Sequence, residues 1–366
     1  MIAAKPLEKL TVGALMHSSA ALHEIAQAKS STWQLQMQDA FTDLDALLQY
    51  LHLTKAQLES ALGWGLPLAE TAFTLRVPKS FAARMLPGNP LDPLLLQVLP
   101  VAAEQLEVPG YAADPVGDWQ KNPLPGLIHK YQSRVLLITT GTCAVHCRYC
   151  FRREFPYAER GLSKRALANV VGYIAKHPAV NEVILSGGDP LSLSNPRLQD
   201  ISDALSELKQ VTRIRIHTRT PVVLPSRIDA GFLALIEDMQ RRWPVLMVLH
   251  SNHAQEWQSS ELKASTQLLR QRGVTLLNQA VLLSRVNDSL AEQVALSDAL
   301  FANGVLPYYL NQLDRVRGSA HFQVSNAQAG RLYQAMRAAL PGFLLPRLVQ
   351  EVQGGASKTP LQNLDS

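Results

Sequence analysis

Long hydrophobic runs are missing from this sequence of 366 residues. No stretch approaches the roughly 18–20 consecutive apolar residues that a membrane-spanning helix needs, so we expect no membrane partner. The apolar run at residues 10–16 is only seven residues long and follows Glu8 in a short basic stretch, which argues against a secretory signal peptide. We therefore predict a cytoplasmic protein in which residues 1–30 form an amino-terminal extension.

Blocks of like charge are missing as well. The formal net charge is +5, and 18% of the residues are charged and 47% are hydrophobic, which is typical of a folded globular protein. A nucleic-acid-binding protein usually shows a denser block of basic residues, so we expect no direct nucleic-acid partner. The mild positive charge is compatible with anionic ligands or with an acidic protein partner.

Cysteine is scarce, and all of it lies in one place. The three cysteines, Cys143, Cys147 and Cys150, lie within eight residues. They are too few and too close together for a framework of disulfides, and clustered thiols in a reducing compartment indicate a metal. Three thiolates can hold three irons of a [4Fe–4S] cluster and leave the fourth iron open to an exchangeable ligand.

A zinc-stabilised binding protein without catalytic activity is the alternative. It would need a histidine such as His146 to complete a site with three cysteines and one histidine. Structural zinc sites more often combine two separate cysteine-containing halves, and the sequence has no second half. The spacing therefore favours an iron–sulfur cluster with an open coordination position.

From about residue 134 onward, short β-rich runs alternate with longer amphipathic helical runs. Such alternation predicts parallel βα units, and polar residues fall at or just after the strand ends, where barrel enzymes carry their active sites. The six candidate strands begin at residues 134, 181, 213, 245, 275 and 305. We therefore predict an α/β fold with a mainly helical region at 31–128, a partial (β/α)6 TIM-like barrel at 129–352 and a carboxyl-terminal segment at 353–366.

Two glycine-rich motifs accompany the cysteines. The motif SGGDPL follows the second predicted strand and includes Gly187, Gly188 and Asp189, and the motif GGASKTP near the carboxyl terminus includes Lys358. Glycines allow a backbone to approach a ligand closely. Each motif alone would also fit an ordinary turn or a solvated loop lysine.

Together these motifs resemble the radical S-adenosylmethionine superfamily and, within it, the lysine 2,3-aminomutase family. The superfamily resemblance rests on the Cys-x3-Cys-x2-Cys spacing with Tyr149 before the last cysteine. The family resemblance spans roughly residues 100–362, and its motifs are HKYQSRVLL, CRYCFRR, SGGDPL, RTPVVLPSRI, NQAVLL, PYYLNQLD and GGASKTP, in this order. The fold that the resemblance implies is the radical S-adenosylmethionine barrel, in agreement with the βα pattern.

The resemblance implies three cofactors. S-adenosylmethionine (SAM) would bind the open iron of the [4Fe–4S] cluster beside Gly187, Gly188 and Asp189, and an electron donor such as flavodoxin would reduce the cluster. Pyridoxal 5′-phosphate (PLP) would be carried by Lys358, the catalytic lysine. The other candidate cofactor-binding residues are three cations for the PLP phosphate and one residue at the barrel rim, namely Lys130, Arg134, Arg219 and Gln279.

Lysine is the substrate that the resemblance implies. Arg152, two residues after the last cysteine, would hold the α-carboxylate, because a guanidinium can bind a carboxylate bidentately. Asp314 and Glu351 would receive the distal ammonium, and Glu351 stands where the free-lysine enzymes of the family carry aspartate. Glutamate as a substrate would bring a third carboxylate to these two, which is unfavourable.

Glu351 and the position of the last residue, eight residues after Lys358, resemble a bacterial branch of the family that serves elongation factor P. We therefore expect conversion of (S)-α-lysine to (R)-β-lysine for the β-lysylation of elongation factor P. The expected protein partner is elongation factor P or its lysyl ligase. The alternative in the same class is a metabolic 2,3-aminomutase of free lysine or of another amino acid.

Overall fold

The computed structural model describes residues 32–67, 73–355 and 357–361. The extension predicted at 1–30 and the last five residues, 362–366, lie outside the described residues. None of the helices in the described ranges is both long and apolar enough to cross a membrane.

One sheet forms the centre of the described structure, and its strands are hydrogen-bonded in chain order. The strands are β1 (Leu127–Tyr131), β2 (Arg134–Ile138), β3 (Glu182–Ser186), β4 (Arg213–Thr218), β5 (Val245–His250), β6 (Thr275–Val281), β7 (Leu306–Asn311), β8 (Arg347–Gln350) and β9 (Thr359–Pro360). Strands β2 to β8 pair in parallel, whereas β1 and β9 pair antiparallel with β2 and β8. Strand β3 is buried along its whole length, as expected of a strand covered on both faces.

The predicted partial TIM-like α/β barrel is confirmed, with the six predicted strands present as β2 to β7. A seventh parallel strand, β8, was not predicted, because its four residues are too few to show a strand pattern in the sequence. The predicted start of the barrel at residue 129 falls inside β1, so the sheet begins two residues earlier, at Leu127.

Helices connect the parallel strands and also form the amino-terminal region. They are α1 (Trp33–Gln38), α2 (Leu44–Tyr50), α3 (Lys55–Leu62), α4 (Lys79–Ala82), α5 (Pro93–Leu96), α6 (Tyr157–Arg160), α7 (Lys164–Ala175), α8 (Asn195–Ser206), α9 (Thr220–Val223), α10 (Ala230–Arg242), α11 (Ser260–Gln271), α12 (Leu290–Ala302) and α13 (Asn326–Ala339). The five amphipathic runs predicted between the strands are present as α7, α8, α10, α11 and α12.

Local capping explains where several of these helices begin and end. The side chains of Ser163, Asp229 and Ser259 accept hydrogen bonds from backbone amides three residues ahead, at the starts of α7, α10 and α11, which is the preferred chemistry of a helix start. Helix α12 ends before Gly304, whose φ of +70° suits glycine and disfavours other residues.

The two largest hydrophobic cores among the described residues organise the fold. The barrel core lies among the strands and their connecting helices and includes Val183 and Ile214. The second core joins helices α2 to α5 to the segment that carries the cysteines, since Phe81 and Leu94 share it with Tyr149. The amino-terminal helical region therefore packs directly against the cysteine-bearing side of the barrel.

Candidate active site

A cavity of about 740 Å³ is lined by the barrel strands and by the loops that follow them. All candidate residues from the sequence line this one cavity. They are Lys130, Arg134, Cys143, Cys147, Cys150, Arg152, Gly187, Gly188, Asp189, Arg219, Gln279, Asp314, Glu351 and Lys358. The fold thus brings side chains from β1 and from the segment after β8 together with the cysteines that follow β2.

The cysteine loop, residues 143–150, is held by backbone hydrogen bonds to the amino-terminal helical region. His146 N donates to Arg76 O at 3.0 Å, and Arg148 N donates to Gln97 O at 2.9 Å. Burial raises the pKa of Cys150 to about 11. A thiolate in this loop therefore needs a bound cation to stabilise its charge.

The turn formed by SGGDPL packs tightly against the residues that precede Cys143. A Cβ atom at Gly187 would lie 2.6 Å from Thr140 O, and one at Gly188 would lie 2.5 Å from Thr142 O. Gly188 N donates a hydrogen bond to Thr140 O at 2.6 Å. The two glycines are therefore required for the close contact between this turn and the start of the cysteine loop.

Asp189 has protein partners on both carboxylate oxygens. Oδ1 accepts a hydrogen bond from Thr218 Oγ1 at 2.6 Å. Oδ2 accepts hydrogen bonds from the backbone amides of Arg219 at 2.7 Å and Thr220 at 3.0 Å. These bonds tie the turn after β3 to the end of β4, so they favour a structural role for Asp189 over the contact with SAM that the resemblance implies.

Arg152 and Lys130 share one buried carboxylate, that of Asp118. Arg152 Nε and Nη2 each lie 2.8 Å from Asp118 Oδ2, and Lys130 Nζ lies 2.6 Å from Asp118 Oδ1. Burial raises the pKa of Asp118, but Arg152 and Lys130 outweigh it and hold the pKa below its usual value. Arg152 Nη1 donates to Ser186 Oγ at 3.2 Å. Asp118 therefore occupies the Nε–Nη2 edge of the guanidinium and Ser186 contacts Nη1, while Arg152 lines the cavity.

Lys358 and Glu351 form a second charged group. Lys358 Nζ donates to Asn311 Oδ1 at 2.9 Å and lies 3.4 Å from Glu351 Oε2. Glu351 Oε1 accepts a hydrogen bond from Tyr131 Oη at 2.7 Å and lies 3.7 Å from Lys130 Nζ. Lys130 therefore links Glu351 to Asp118, the carboxylate that contacts Arg152.

Asp314 follows β7 and is a carboxyl group with a perturbed pKa. Burial raises the pKa of Asp314 to about 6, while Lys358 lowers it and Glu351 raises it by smaller amounts. A cation that enters beside such a carboxyl group favours its ionised form. Asp314 and Glu351 therefore offer two carboxylates to one ammonium group.

Arg219 lies at the cysteine end of the cavity. Nη1 donates to Cys147 Sγ at 2.8 Å, and Nη2 donates to Gln97 Oε1 at 2.8 Å. The PLP-phosphate role suggested for Arg219 has no support in these contacts, because Nη1 and Nη2 serve the cysteine loop and its neighbours. The position at a strand end indicated that Arg219 borders the cavity, but it could not indicate which way the side chain turns.

Gln279 lies in β6 and lines the cavity next to a neutral histidine. His250 Nδ1 lies 2.9 Å from Gln279 O, and His250 Nε2 lies 2.8 Å from Tyr149 Oη. Burial lowers the pKa of His250 to about 4, and the charge of Arg219 lowers it as well. The ring is therefore uncharged, and Nδ1 is the nitrogen that donates to the carbonyl of Gln279.

Comparison with known proteins places this site in a family. Residues 137–251 match the Radical SAM superfamily. The L-lysine 2,3-aminomutase of Escherichia coli is 45% identical over 330 residues, which cover 90% of this chain and 94% of that protein. The chain belongs to the lysine 2,3-aminomutase family.

Two further members of the family support this assignment. The L-lysine 2,3-aminomutase of Haemophilus influenzae is 39% identical over 331 residues, which cover 90% of this chain and 96% of that protein. The L-lysine 2,3-aminomutase of Clostridium subterminale is 32% identical over 339 residues, which cover 92% of this chain and 79% of that protein. This member of the aminomutase family is therefore an isomerase, and the alternative of a non-catalytic zinc-stabilised protein is wrong.

Membership of the radical SAM superfamily implies a [4Fe–4S] cluster and SAM, and the cysteine loop of this chain fits a cluster. Its three free thiols line the cavity. In the described part of the chain, no three His, Cys, Asp or Glu side chains are grouped so that they could hold a single metal ion. A cubane cluster has a different requirement, because each thiolate binds its own iron.

Three residues that line the cavity were missed in the sequence, namely Asp118, Arg215 and Arg347. Asp118 lies in a Pro/Gly/Asp-rich stretch that resembles a linker, and it carries no signal of its own. Arg215 could have been found, because in β4 the polar residues alternate with buried Ile214 and Ile216, so they share the opposite face of the sheet. Arg347 begins β8, the strand that was not predicted.

Proposed function

We propose that this protein is a PLP-dependent radical SAM lysine 2,3-aminomutase that converts (S)-α-lysine into (R)-β-lysine. The observation that carries the proposal is the charge arrangement of the cavity. A guanidinium, that of Arg152, stands close to the cysteine loop, and two carboxylates, those of Asp314 and Glu351, stand with Lys358. Lysine has a carboxylate at one end and an ammonium at the other, so its two charges match this arrangement.

Arg152 is proposed to bind the α-carboxylate of lysine. Its Nε edge is held by Asp118, which fixes the plane of the guanidinium before the substrate arrives. Nη1 and Nη2 each carry a second N–H besides those that contact Ser186 and Asp118, and these two can bind a carboxylate in the planar, two-bond geometry that arginine favours. A preordered cation loses little side-chain entropy when it binds, which supports a positioning role for Asp118.

Asp314 and Glu351 are proposed to bind the distal ammonium of lysine. In the described structure the Lys358 ammonium lies 3.4 Å from Glu351 and lowers the pKa of Asp314. A substrate ammonium can take over both interactions when the Lys358 nitrogen is engaged elsewhere. The longer side chain of Glu351, in place of aspartate, brings its carboxylate within hydrogen-bonding distance of Tyr131.

Lys358 is proposed to hold PLP in the same cavity. Its amino group faces Asn311 and lies 5.7 Å from the centre of the Tyr309 ring. The candidates for the PLP phosphate are the cavity-lining arginines Arg134, Arg215 and Arg347. When bound, the cluster with SAM supplies a radical that can remove hydrogen from an unactivated carbon, and PLP allows an amino group to pass between adjacent carbons.

The proposal is tested by anaerobic incubation of the reconstituted protein with SAM, PLP, dithionite and (S)-lysine, followed by chiral chromatography. We expect (R)-β-lysine from the wild type and none from Lys358→Ala, which should retain the cluster absorbance and lose the PLP absorbance. Lys164→Ala, a change of an exposed lysine on α7, is the matched control and should behave as the wild type. β-Lysine from Lys358→Ala would contradict the role of Lys358.

We further propose that the β-lysine is made for elongation factor P in the cytoplasm, with a flavodoxin as the electron donor. Glu351, in place of the aspartate of the free-lysine enzymes, supports the role in elongation factor P modification. The test adds elongation factor P, its lysyl ligase and reduced flavodoxin to the reaction and follows the mass of elongation factor P. A gain of one β-lysyl group that requires the aminomutase is the expected result. Turnover of lysine without any modification of elongation factor P would favour the metabolic alternative, and 5′-deoxyadenosine without β-lysine would indicate another amino acid as substrate.

A further inference from the structure

Arg219 is a buried arginine whose guanidinium reaches the cysteine loop from the end of β4. Its side chain is 6% exposed, and Nη1 donates a hydrogen bond to Cys147 Sγ at 2.8 Å. The same nitrogen contacts the Tyr149 hydroxyl, and Nη2 donates to Gln97 Oε1 at 2.8 Å. A positive charge is therefore fixed beside one of the three thiols.

We infer that Arg219 is a positioning residue that raises the reduction potential of the cluster through its hydrogen bond to Cys147. The inference rests on the part of the assignment that gives a cluster to the three cysteines. It does not depend on lysine or on PLP.

The physical reason is the charge that reduction adds. One electron from the external donor enters the cluster, and the cysteine sulfurs share the added negative charge. A guanidinium N–H that donates to a ligand sulfur stabilises the reduced form more than the oxidised form, because hydrogen bonds to the sulfurs and local charge set the potential of such clusters. Burial strengthens the effect, since little water is present to screen the charge.

Glu256 holds the guanidinium and offsets part of its charge. Its carboxylate is completely buried, and Oε2 lies 3.3 Å from Arg219 Nη2. Oε1 accepts hydrogen bonds from the backbone amides of Asn252 at 2.8 Å and His253 at 3.0 Å, so this carboxylate has a fixed position. A negative charge close to the cluster disfavours reduction. Removal of the Glu256 charge should therefore act in the direction opposite to removal of the Arg219 charge.

Arg219 also has one N–H donor without a hydrogen-bond partner among the described residues. Its Nε is buried and has no hydrogen-bond partner among the described residues, although buried N–H groups are nearly always paired. Because Arg219 lines the cavity, an acceptor bound there would complete its hydrogen bonding. A sulfide of the cluster and the carboxylate of SAM both have the required chemistry.

The test is an EPR-monitored redox titration of the reconstituted full-length protein in the absence of lysine and PLP. Arg219→Met removes both the charge and the donors, Arg219→Gln retains a donor, and Glu256→Gln removes the opposing charge. We expect the midpoint potential to shift to a lower value in Arg219→Met, to shift less in the same direction in Arg219→Gln, and to shift to a higher value in Glu256→Gln.

Arg227→Gln is the matched control. Arg227 is also fully buried, but its Nε and Nη2 donate to the carbonyl oxygens of Leu191 and Leu193 and not to a cysteine, so its loss should leave the potential unchanged. Iron and sulfide content, measured for each variant, separates loss of the cluster from a change of its potential. If Arg219→Met does not retain a cluster, the opposite shifts expected of Arg219→Gln and Glu256→Gln decide the question.

Equal potentials in the wild type and in the cluster-containing variants would overturn the inference. A wild-type protein that takes up no cluster would instead overturn the cluster assignment, and with it the proposed function. The two failures are therefore distinguishable.

Discussion

Lys130 connects the two charged groups of the cavity. Its ammonium lies 2.6 Å from Asp118 Oδ1 and 3.7 Å from Glu351 Oε1, and these carboxylates contact Arg152 and Lys358 in turn. Buried charges are tolerated only when they are paired, so each of these five groups depends on its neighbours. A neutral substitution in this set therefore changes the electrostatics of the whole cavity as well as one contact.

Asp118→Asn should weaken the use of lysine through Arg152. The asparagine preserves the size of the side chain but removes the charge that orients the guanidinium. A hydrogen bond between charged groups contributes about 1.5–3 kcal/mol, so we expect a loss of roughly ten- to a hundredfold in kcat/KM. Steady-state kinetics on protein with a full complement of cluster would measure the loss, and a rise in KM for lysine should dominate it.

Asp203→Asn is the control for this change. It removes the exposed partner of Arg242 on the outside of the barrel and should leave the kinetics unchanged. An Asp118→Asn variant with the KM of the wild type would show that Arg152 does not depend on Asp118.

Asp314 should make kcat/KM for lysine fall at acidic pH, which gives the pH profile an acidic limb. Because its pKa is about 6, the carboxyl group is neutral at lower pH and attracts the substrate ammonium less. We expect kcat/KM for lysine to fall as the pH drops through about 6, and we expect this dependence to disappear in Asp314→Asn. Cleavage of SAM without lysine should not follow the same profile. An acidic limb that persists in Asp314→Asn would assign it to another group.

The same raised pKa of Asp314 has a consequence for stability. The folded protein holds this proton more tightly than the unfolded chain does, so the stabilising contribution of the protonated carboxyl is lost as the pH rises through about 6. The free energy of unfolding of Asp314→Asn should therefore exceed that of the wild type near neutral pH and approach it in acid. Denaturant titrations of both proteins near neutral pH and in acid would measure the difference in the free energy of unfolding.

At the scale of elements, local signals located the helices and most of the strands. Side-chain caps such as Ser163 and a glycine such as Gly304 act within a few residues of themselves, so a sequence pattern reveals them. Strand β8 carries no comparable signal, since its pairing with β7 is a contact between distant segments. The turn after β3 is a third case. Its glycines, Gly187 and Gly188, are required because the residues that precede Cys143 pack against them, and this contact is visible only in the folded structure.

Gly188→Ala should distort the contact between the turn after β3 and the cysteine loop. The added Cβ would lie 2.5 Å from the backbone oxygen of Thr142, which cannot move as a flexible side chain can. Forcing an extra group into a packed site costs typically about 1–3 kcal/mol, and we expect the cysteine loop to lose iron as well. Denaturant unfolding and iron analysis would measure both effects.

Gly172→Ala is the matched control in an element. Gly172 lies on the exposed side of α7, where an added Cβ would meet nothing within 4 Å. Alanine is the better helix former by about 0.5–1 kcal/mol, so this variant should be slightly more stable and retain its iron. Equal destabilisation in the two variants would show that the loop contact has no special role.

At the scale of the whole molecule, the amino-terminal helical region belongs to the active-site architecture. Glu104 lies between two arginines that flank the last cysteine, 2.7 Å from Arg148 Nε and 2.7 Å from Arg153 Nη2. The carboxylate and the Arg148 side chain are almost completely buried. Together with the shared hydrophobic core, these ion pairs fasten the cysteine loop to a region that the sequence motifs match only loosely.

Glu104→Gln should loosen this attachment. Breaking a buried ion pair on one side leaves uncompensated charge and destabilises by about 3–5 kcal/mol, so we expect a lower free energy of unfolding and faster loss of iron to a chelator. Glu237→Gln, which removes the exposed partner of Arg272, is the control and should change little. Normal iron retention in Glu104→Gln would show that the cysteine loop holds the cluster without help from the amino-terminal region.

The sequence by itself determined the barrel type, the place of the cysteines and the family. The barrel type and the place of the cysteines follow from periodicity and spacing over a few residues, such as the alternation of strands and helices or the interval from Cys143 to Cys150. The family follows from the resemblance of its ordered motifs to those of known proteins. They are properties of the covalent chain and of local conformational preference, so they are visible before folding.

The tertiary structure alone decided which charges meet. The pairing of Arg152 with Asp118, the turn of Arg219 toward Cys147 and the engagement of Asp189 by the end of β4 all join residues that lie 30 or more positions apart. Each such partner is selected by packing and by electrostatic interaction through space, and burial amplifies the choice by making an unpaired charge costly. A sequence pattern therefore does not show which charged residues will pair.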